Sequence, residues 1–269
     1  MLSDLLYSNN PASWTAANIT VASGATLALS VGGTNEFSSA NIDTISALGT
    51  ATNGFLSNSA LGLDTTSGSF THSGILANPN AGANVLNLVK LGTNNLTLSG
   101  TNTYTGQTYI GGGTLVAANP AAFGPAGNSV NFIVNPVLAT AGGNITNGNV
   151  EFATDSTVNA YNFNGSSSFA SSITVSRATS GAAFNHTLGN LAWGSNTLTV
   201  AAGTNIASGT PSVSFTGMNL TSGGAGTSTL APTTATIAIT GPVNIGTNNV
   251  AKTLGLGGTI AGGCAVDWM

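Results

Sequence analysis

The sequence predicts an all-β protein built as a solenoid, a single stack of β-coils through residues 1–269, and three observations carry that reading. Short runs that alternate apolar with small or polar residues recur between Gly, Asn and Ser punctuation. A turn, an alternating strand and a Gly-Thr-Asn corner return several times in degenerate form. Charge is nearly absent, yet the chain is apolar enough to bury a core: 4% of residues are charged and 41% hydrophobic, with a net charge of −4. A disordered chain would pair low hydrophobicity with high net charge. With 37 Gly and 8 Pro but no Gly-X-Y period, collagen is excluded.

Each strand follows from its alternation. Ile19-Thr20-Val21, Leu27-Ala28-Leu29-Ser30-Val31, Leu96-Thr97-Leu98-Ser99 and Val130-Asn131-Phe132 put apolar groups on one face and small or polar groups on the other. Ile173-Thr174-Val175, Leu198-Thr199-Val200, Val213-Ser214-Phe215 and Ile237-Ala238-Ile239 do the same further on. Gly111-Gly112-Gly113, Gly142-Gly143 and Asn147-Gly148 supply the positive φ angles that tight corners demand.

The degenerate unit appears as "GATLALSVGGTNEF" from Gly24, "GTNNLTLSGTNTY" from Gly92 and "GSNTLTVAAGTNIA" from Gly194, and a further "GTNNV" opens at Gly246. A single coil cannot stand alone, because ordering its backbone costs more than its few inward side chains return. Stacking buries both sides of every inward layer and pairs the backbones at about 4.8 Å per coil. Coils of about 22 residues predict about a dozen of them in a rod of about 55 Å. Asparagine and threonine suit the outside, where their side chains hydrogen-bond along a ladder without stacking like charges.

One stretch breaks the rhythm. In "FSSANIDTISALG", Ile42, Ile45 and Leu48 recur every third residue, Ser38 or Ser39 can cap the start, and Gly49 can end the element. This predicts one short helix over residues 39–48, covering a coil edge at the side or end of the rod.

The stretch 88–119 carries a family resemblance. Lys90-Leu91-Gly92-Thr93-Asn94-Asn95-Leu96-Thr97-Leu98-Ser99-Gly100, then Asn102-Thr103-Tyr104-Thr105-Gly106 and Gly113-Thr114-Leu115, closely resemble the autotransporter-associated β-strand repeat of bacterial surface proteins. Gln107 and Asn94 stand where that family more often has glycine, and asparagine tolerates a left-handed backbone. The resemblance implies a right-handed parallel β-helix, exported and displayed on or released from a bacterial cell. In autotransporters such a stalk precedes a membrane β-barrel, and no barrel is legible in this sequence. The opening, "MLSDLLYSNNPASW", lacks the charged and apolar regions of a signal peptide, which fits either a protein that stays inside the cell or, the favoured reading, a piece of a longer chain whose export signal lies elsewhere.

Composition excludes several partners. Nucleic acid and anionic membranes need clustered cations, whereas Lys90, Arg177 and Lys252 are far apart in sequence. No apolar run is long enough for a spanning helix. Cys264, the single cysteine, has no partner for an internal disulfide.

Candidates for reaction chemistry are few. Among the carboxylates Asp4, Glu36, Asp43, Asp64, Glu151, Asp155 and Asp267, the nearest pair is Glu151 with Asp155. Along an extended strand these two are about 13 Å apart, too far for a glycosidase pair. His72 and His186 lack a neighbouring Cys, His or carboxylate at ligand spacing and read as turn or strand-surface imidazoles. The glycines from Gly111 lack the lysine of a phosphate loop, and neither a nucleophile elbow nor a calcium nonapeptide occurs. Trp14, Tyr104, Tyr109 and Tyr161 could offer a sugar-stacking face, though core or corner packing is the plainer reading. Thr101, Thr103 and Thr105 are similar to an ice-binding ladder but do not repeat coil after coil.

No catalytic, cofactor-binding or metal-ligating residue is therefore assigned. The expected role is a structural or adhesive stalk segment of a secreted or surface-displayed bacterial protein, attached to the outer membrane through other parts of a longer chain. Its expected partners are cell-surface or extracellular glycans or proteins. The alternative is a carbohydrate-binding or carbohydrate-active β-helix.

Overall fold

The computed structural model describes residues 6–132, 148–165, 170–220, 226–244 and 252–257. Asp4, Asp267, Cys264, the Gly142-Gly143 pair, Asn147 and the turn at Gly246 lie outside the described residues. Within them the protein is all-β apart from one α-helix and two short 3-10 helices. Its strands pair in parallel throughout two long sheets, one 10-stranded and one 8-stranded.

The first sheet runs in order Thr26–Ser30, Ser59–Asp64, Leu86–Leu91, Thr108–Ile110, Ser129–Phe132, Asn162–Gly165, Asn185–Trp193, Ser212–Leu220 and Thr236–Ile239, with Val243–Asn244 beside the penultimate strand. The second runs Phe70–His72, Leu96–Leu98, Gly113–Ala117, Gly148–Ala153, Ser171–Ser176, Thr197–Ala202, Gly226–Pro232 and Lys252–Leu256. From Phe70 to Ser176 the chain alternates strictly between the two sheets. Parallel neighbours require a crossover, and here the strand of the opposite sheet supplies it. All eight runs read from the sequence coincide with strands, Ile19-Thr20-Val21 falling in a small separate sheet with Gly54–Phe55.

Register explains the core. Leu27, Leu61, Leu88, Thr108, Val130, Phe163, Leu191, Met218 and Val243 follow one another across the first sheet as an inward column. Leu96, Leu115, Val150, Ile173 and Val200 form its counterpart across the second. Most of these side chains are fully buried, so each layer is closed by its neighbours above and below. Thr108 is the polar member of its column; its hydroxyl pairs with the buried Tyr104 hydroxyl at 2.6 Å, which satisfies both.

The steps are longer and more varied than the expected coil. Register partners on the first sheet are as close as 20 residues, Lys90 with Ile110, and as far as 34, Leu29 with Leu63. The long step houses the helix. Consequently the first sheet's main path holds nine strands, a length of about 40 Å at the usual strand spacing, where a dozen coils had been expected.

Helix α1 spans Ser39–Ser46. Ser38 caps it, its hydroxyl accepting from the Asn41 amide while the Asn41 side chain accepts from the Ser38 amide, a reciprocal box. Ile42 and Ile45 are fully buried beneath it. The helix stops before the predicted Leu48, because the Leu48 carbonyl accepts from the Phe55 amide at 2.8 Å and Gly49 bridges to Gly54 instead of closing a turn.

Two glycines mark the corners of the 88–119 stretch. Gly92 (φ 76°) and Gly113 (φ 61°) occupy the left-handed region, and an added Cβ at Gly92 would meet the backbone of Thr66. Asn94 is not among the left-handed residues. Its amide instead donates to the carbonyls of Thr65 and Thr66 at 2.8 and 3.1 Å, tying its corner to the preceding one. The anticipated amide ladder is present where Asn131 donates to Gln107 at 3.1 Å and Asn164 donates to Asn131 at 2.9 Å.

Candidate functional site

The carboxylates are dispersed and mostly engaged. Asp155 accepts from Arg177 Nε at 3.0 Å and from the amide and hydroxyl of Thr179 at 3.2 and 2.7 Å. The Thr179 hydrogen bonds, with Arg177 adding to them, hold its carboxyl below the usual range. Arg177 also lies 5.3 Å over the Phe184 ring and donates to the Ala182 carbonyl, so it is tied into its own corner. Glu151 faces outward between Val116 and Thr174, and no contact joins it to Asp155 among the described residues. Glu36 accepts from the Gly33 amide and the Ser67 hydroxyl at 2.7 and 2.6 Å.

Lys90 is held inside the fold. It continues an inward column between Leu63 and Ile110 and is fully buried. Its ammonium donates to Thr65 Oγ1 at 2.8 Å and to the carbonyls of Leu91, Gly92 and Gly112 at 2.7, 2.8 and 3.1 Å. Burial pushes its pKa down to about 8, with the nearby Asp64 carboxylate opposing. This is a capped cation that pins three successive strand ends.

Both histidines are fully buried, which overturns their reading as surface imidazoles. Each lies on an inward row: His72 beside Leu98, and His186 beside Val213. The His186 ring packs against Phe152 and Phe184 at 4.8 and 4.9 Å, and burial pushes its pKa down to about 4.

Among the described residues, a hydroxyl, an imidazole and a carboxylate converge around His72. Ser39, the first residue of α1, puts Oγ 3.0 Å from His72 Nδ1. Asp43, one helical turn later on the same face, puts Oδ1 3.4 Å from His72 Nε2. The carboxylate that sequence spacing did not offer thus arrives from α1, from a different turn of the chain. Burial lowers the His72 pKa, and Asp43 works against that. Asp43 also lines a pocket of ≈ 250 Å³ together with Ile75, Ala77 and Pro79.

The aromatic residues do not form a shared platform. Trp14, Tyr104 and Tyr161 are buried, with Trp14 against Phe37 and Tyr161 against Phe123 at ring distances of 5.9 and 5.2 Å. Tyr109 alone of the four is half-buried, on the outward row between Val89 and Asn131. Thr101, Thr103 and Thr105 are exposed but lie outside any strand, so they make no flat ladder. Among the described residues no group of three or more His, Cys, Asp or Glu side chains could hold a metal ion. No helix there is long and apolar enough to cross a membrane.

With this geometry in view, residues 88–117 match the family model described as the passenger-associated-transport-repeat. The match coincides with the 88–119 stretch that resembled the passenger-type repeat in sequence. It takes in Leu96–Leu98, Thr108–Ile110, Gly113–Ala117 and most of Leu86–Leu91, two strands for each long sheet. No curated protein and no solved structure matches the chain.

Proposed function

We propose that this chain is a structural or adhesive segment of a secreted or surface-displayed bacterial protein, a right-handed parallel β-helix that projects or presents a surface away from the cell. The observation that carries the reading is the passenger repeat at residues 88–117, which supplies consecutive strands to both long sheets. The stacking supports it physically: inward columns continue from strand to strand, so units can be added along the axis without a new core. So does the composition. With 4% of residues charged, hydroxyls and amides supply most of the polar side chains, which suits hydrogen-bonded contact with glycans or protein surfaces more than ionic steering.

Fractionation of cells producing the full-length parent protein tests the proposal. Recovery at the cell surface or in the medium is the expected result, and recovery confined to the cytosol refutes it.

A further inference from the structure

A serine, a histidine and a carboxylate stand in line where α1 meets the strand Phe70–His72, and their order defines a chemistry beyond display. His72 is fully buried, and its Nε2 has no hydrogen-bond partner, since the approach of Asp43 at 3.4 Å does not complete one. The carboxylate still selects the tautomer. A proton on Nε2 faces the negative Oδ1 favourably, whereas a lone pair there would be repelled. Nδ1 is then the acceptor, 3.0 Å from the Ser39 hydroxyl. Burial keeps the ring neutral near pH 7, the state in which it can take a proton.

The local backbone favours negative charge at Ser39. As the first residue of α1 it lies where the amides of the first turn have no intrahelical acceptor and the helix dipole is positive. Ser38 takes the Asn41 amide, and the Ser73 amide donates to Ser39 Oγ at 3.2 Å.

We propose that Ser39 is a nucleophile, His72 its general base and Asp43 a positioning residue, together hydrolysing small carboxylic esters by acyl transfer. Ser39 Oγ bonds to the ester carbonyl carbon as its proton passes to His72 Nδ1. The carbon–alkoxide bond then breaks, and the alcohol leaves with that proton. Water attacks the acyl-serine, giving its proton to His72, and Ser39 regains one as the carboxylic acid departs. The positive end of the α1 dipole offsets the charge of the developing oxyanion. Because Asp43 lines an open pocket, its carboxylate has room to close on Nε2 as the imidazolium forms.

Gly74 gives an independent handle. A Cβ at this position would collide with the Asp43 carboxylate, so Gly74→Ala displaces Asp43 without substituting Ser39 or His72. The test uses the purified chain, a fluorophosphonate probe with peptide mass mapping, p-nitrophenyl acetate hydrolysis, and circular dichroism to verify folding. The expected results are an adduct on Ser39 that Ser39→Ala abolishes, and labelling slowed about tenfold or more by Asp43→Asn and by Gly74→Ala. The rate should rise with pH through an inflection below the ordinary histidine value of 6.5, Asp43 being the titratable group that faces the ring. Folded wild type without an adduct on Ser39, or labelling indifferent to both Asp43→Asn and Gly74→Ala, overturns the proposal and leaves the cluster as a tie holding α1 to the sheet.

Discussion

His186 should make this protein acid-labile by an amount that its surroundings define. Its Nδ1 accepts from the Val158 amide at 3.3 Å, Nε2 is buried without a partner, and phenylalanine rings cover it at 4.8 and 4.9 Å. Protonation would set two donors against each other at Nδ1 and put a charge among aromatic rings. Burial therefore lowers the pKa from 6.5 to about 4. Between those values the unfolded chain binds the proton and the folded chain does not, so stability rises with pH across this window. It is fully present above about pH 6.5 and is lost as pH falls toward 4. A shift of that size corresponds to about 3 kcal/mol. His186→Leu removes the titration but leaves the Val158 amide without its acceptor, at a cost of about 1–3 kcal/mol at every pH. At pH 7.5 the variant should therefore be the less stable form, and by about pH 4 the gap should have closed or reversed. Urea midpoints followed by circular dichroism at several pH values read this directly. Wild-type and variant midpoints that run parallel from neutral pH to pH 4 would refute the reasoning.

Three further outcomes follow from packing and capping. Ser38→Ala removes the α1 cap and should cost about 1 kcal/mol, measured as a lowered urea midpoint with an unchanged slope. Leu88→Ala opens a cavity in the inward column of the first sheet, where Leu88 is 1% exposed, and should cost about 3 kcal/mol in the same assay. Gly100→Ala drives a Cβ into the Gly74 carbonyl of the adjacent turn, a backbone clash that no rotamer change relieves, so it should destabilise more than Ser38→Ala.

Much of the fold was legible because a half-buried parallel strand writes its two faces into the sequence. Leu27, Leu29, Leu96, Leu98, Ile173 and Val175 alternate with small or polar residues, and all six are turned inward. Ser59–Asp64 gave a fainter signal, since all six of its residues are buried and it carries Gly62 and Asp64, types that strands seldom favour. The length of each step was not legible. It depends on what the corners must house, such as α1 between Leu29 and Leu63, and the spacing of glycines does not report that. The Ser39, His72 and Asp43 cluster was hidden for a related reason. His72 is 33 residues from Ser39, and they meet through the docking of α1 on a strand of the second sheet. The two inward histidines could have been suspected from their place in alternating runs, "FTHSG" and "FNHTL", next to phenylalanine.

The buried lysine shows how a nearly uncharged solenoid uses one of its few cations. In a stack, each unit touches only its neighbours, so register between adjacent turns has to be fixed locally. Apolar columns guard against a one-residue slip, which would turn their side chains outward, but leucine against leucine tolerates slides of two residues. Lys90 does not tolerate them. Its oxygen partners belong to Thr65, to Leu91 and Gly92, and to Gly112, residues at the ends of three successive strands of the first sheet. A slip of two residues in either neighbour moves some of those oxygens away and leaves a buried ammonium short of acceptors, which costs far more than an imperfect hydrophobic contact. Lys90, Gly92 and Gly112 all fall inside the matched repeat. Their spacing is therefore best understood as a register lock: the lysine supplies the charge, and the left-handed turn at Gly92 helps set the carbonyls that receive it.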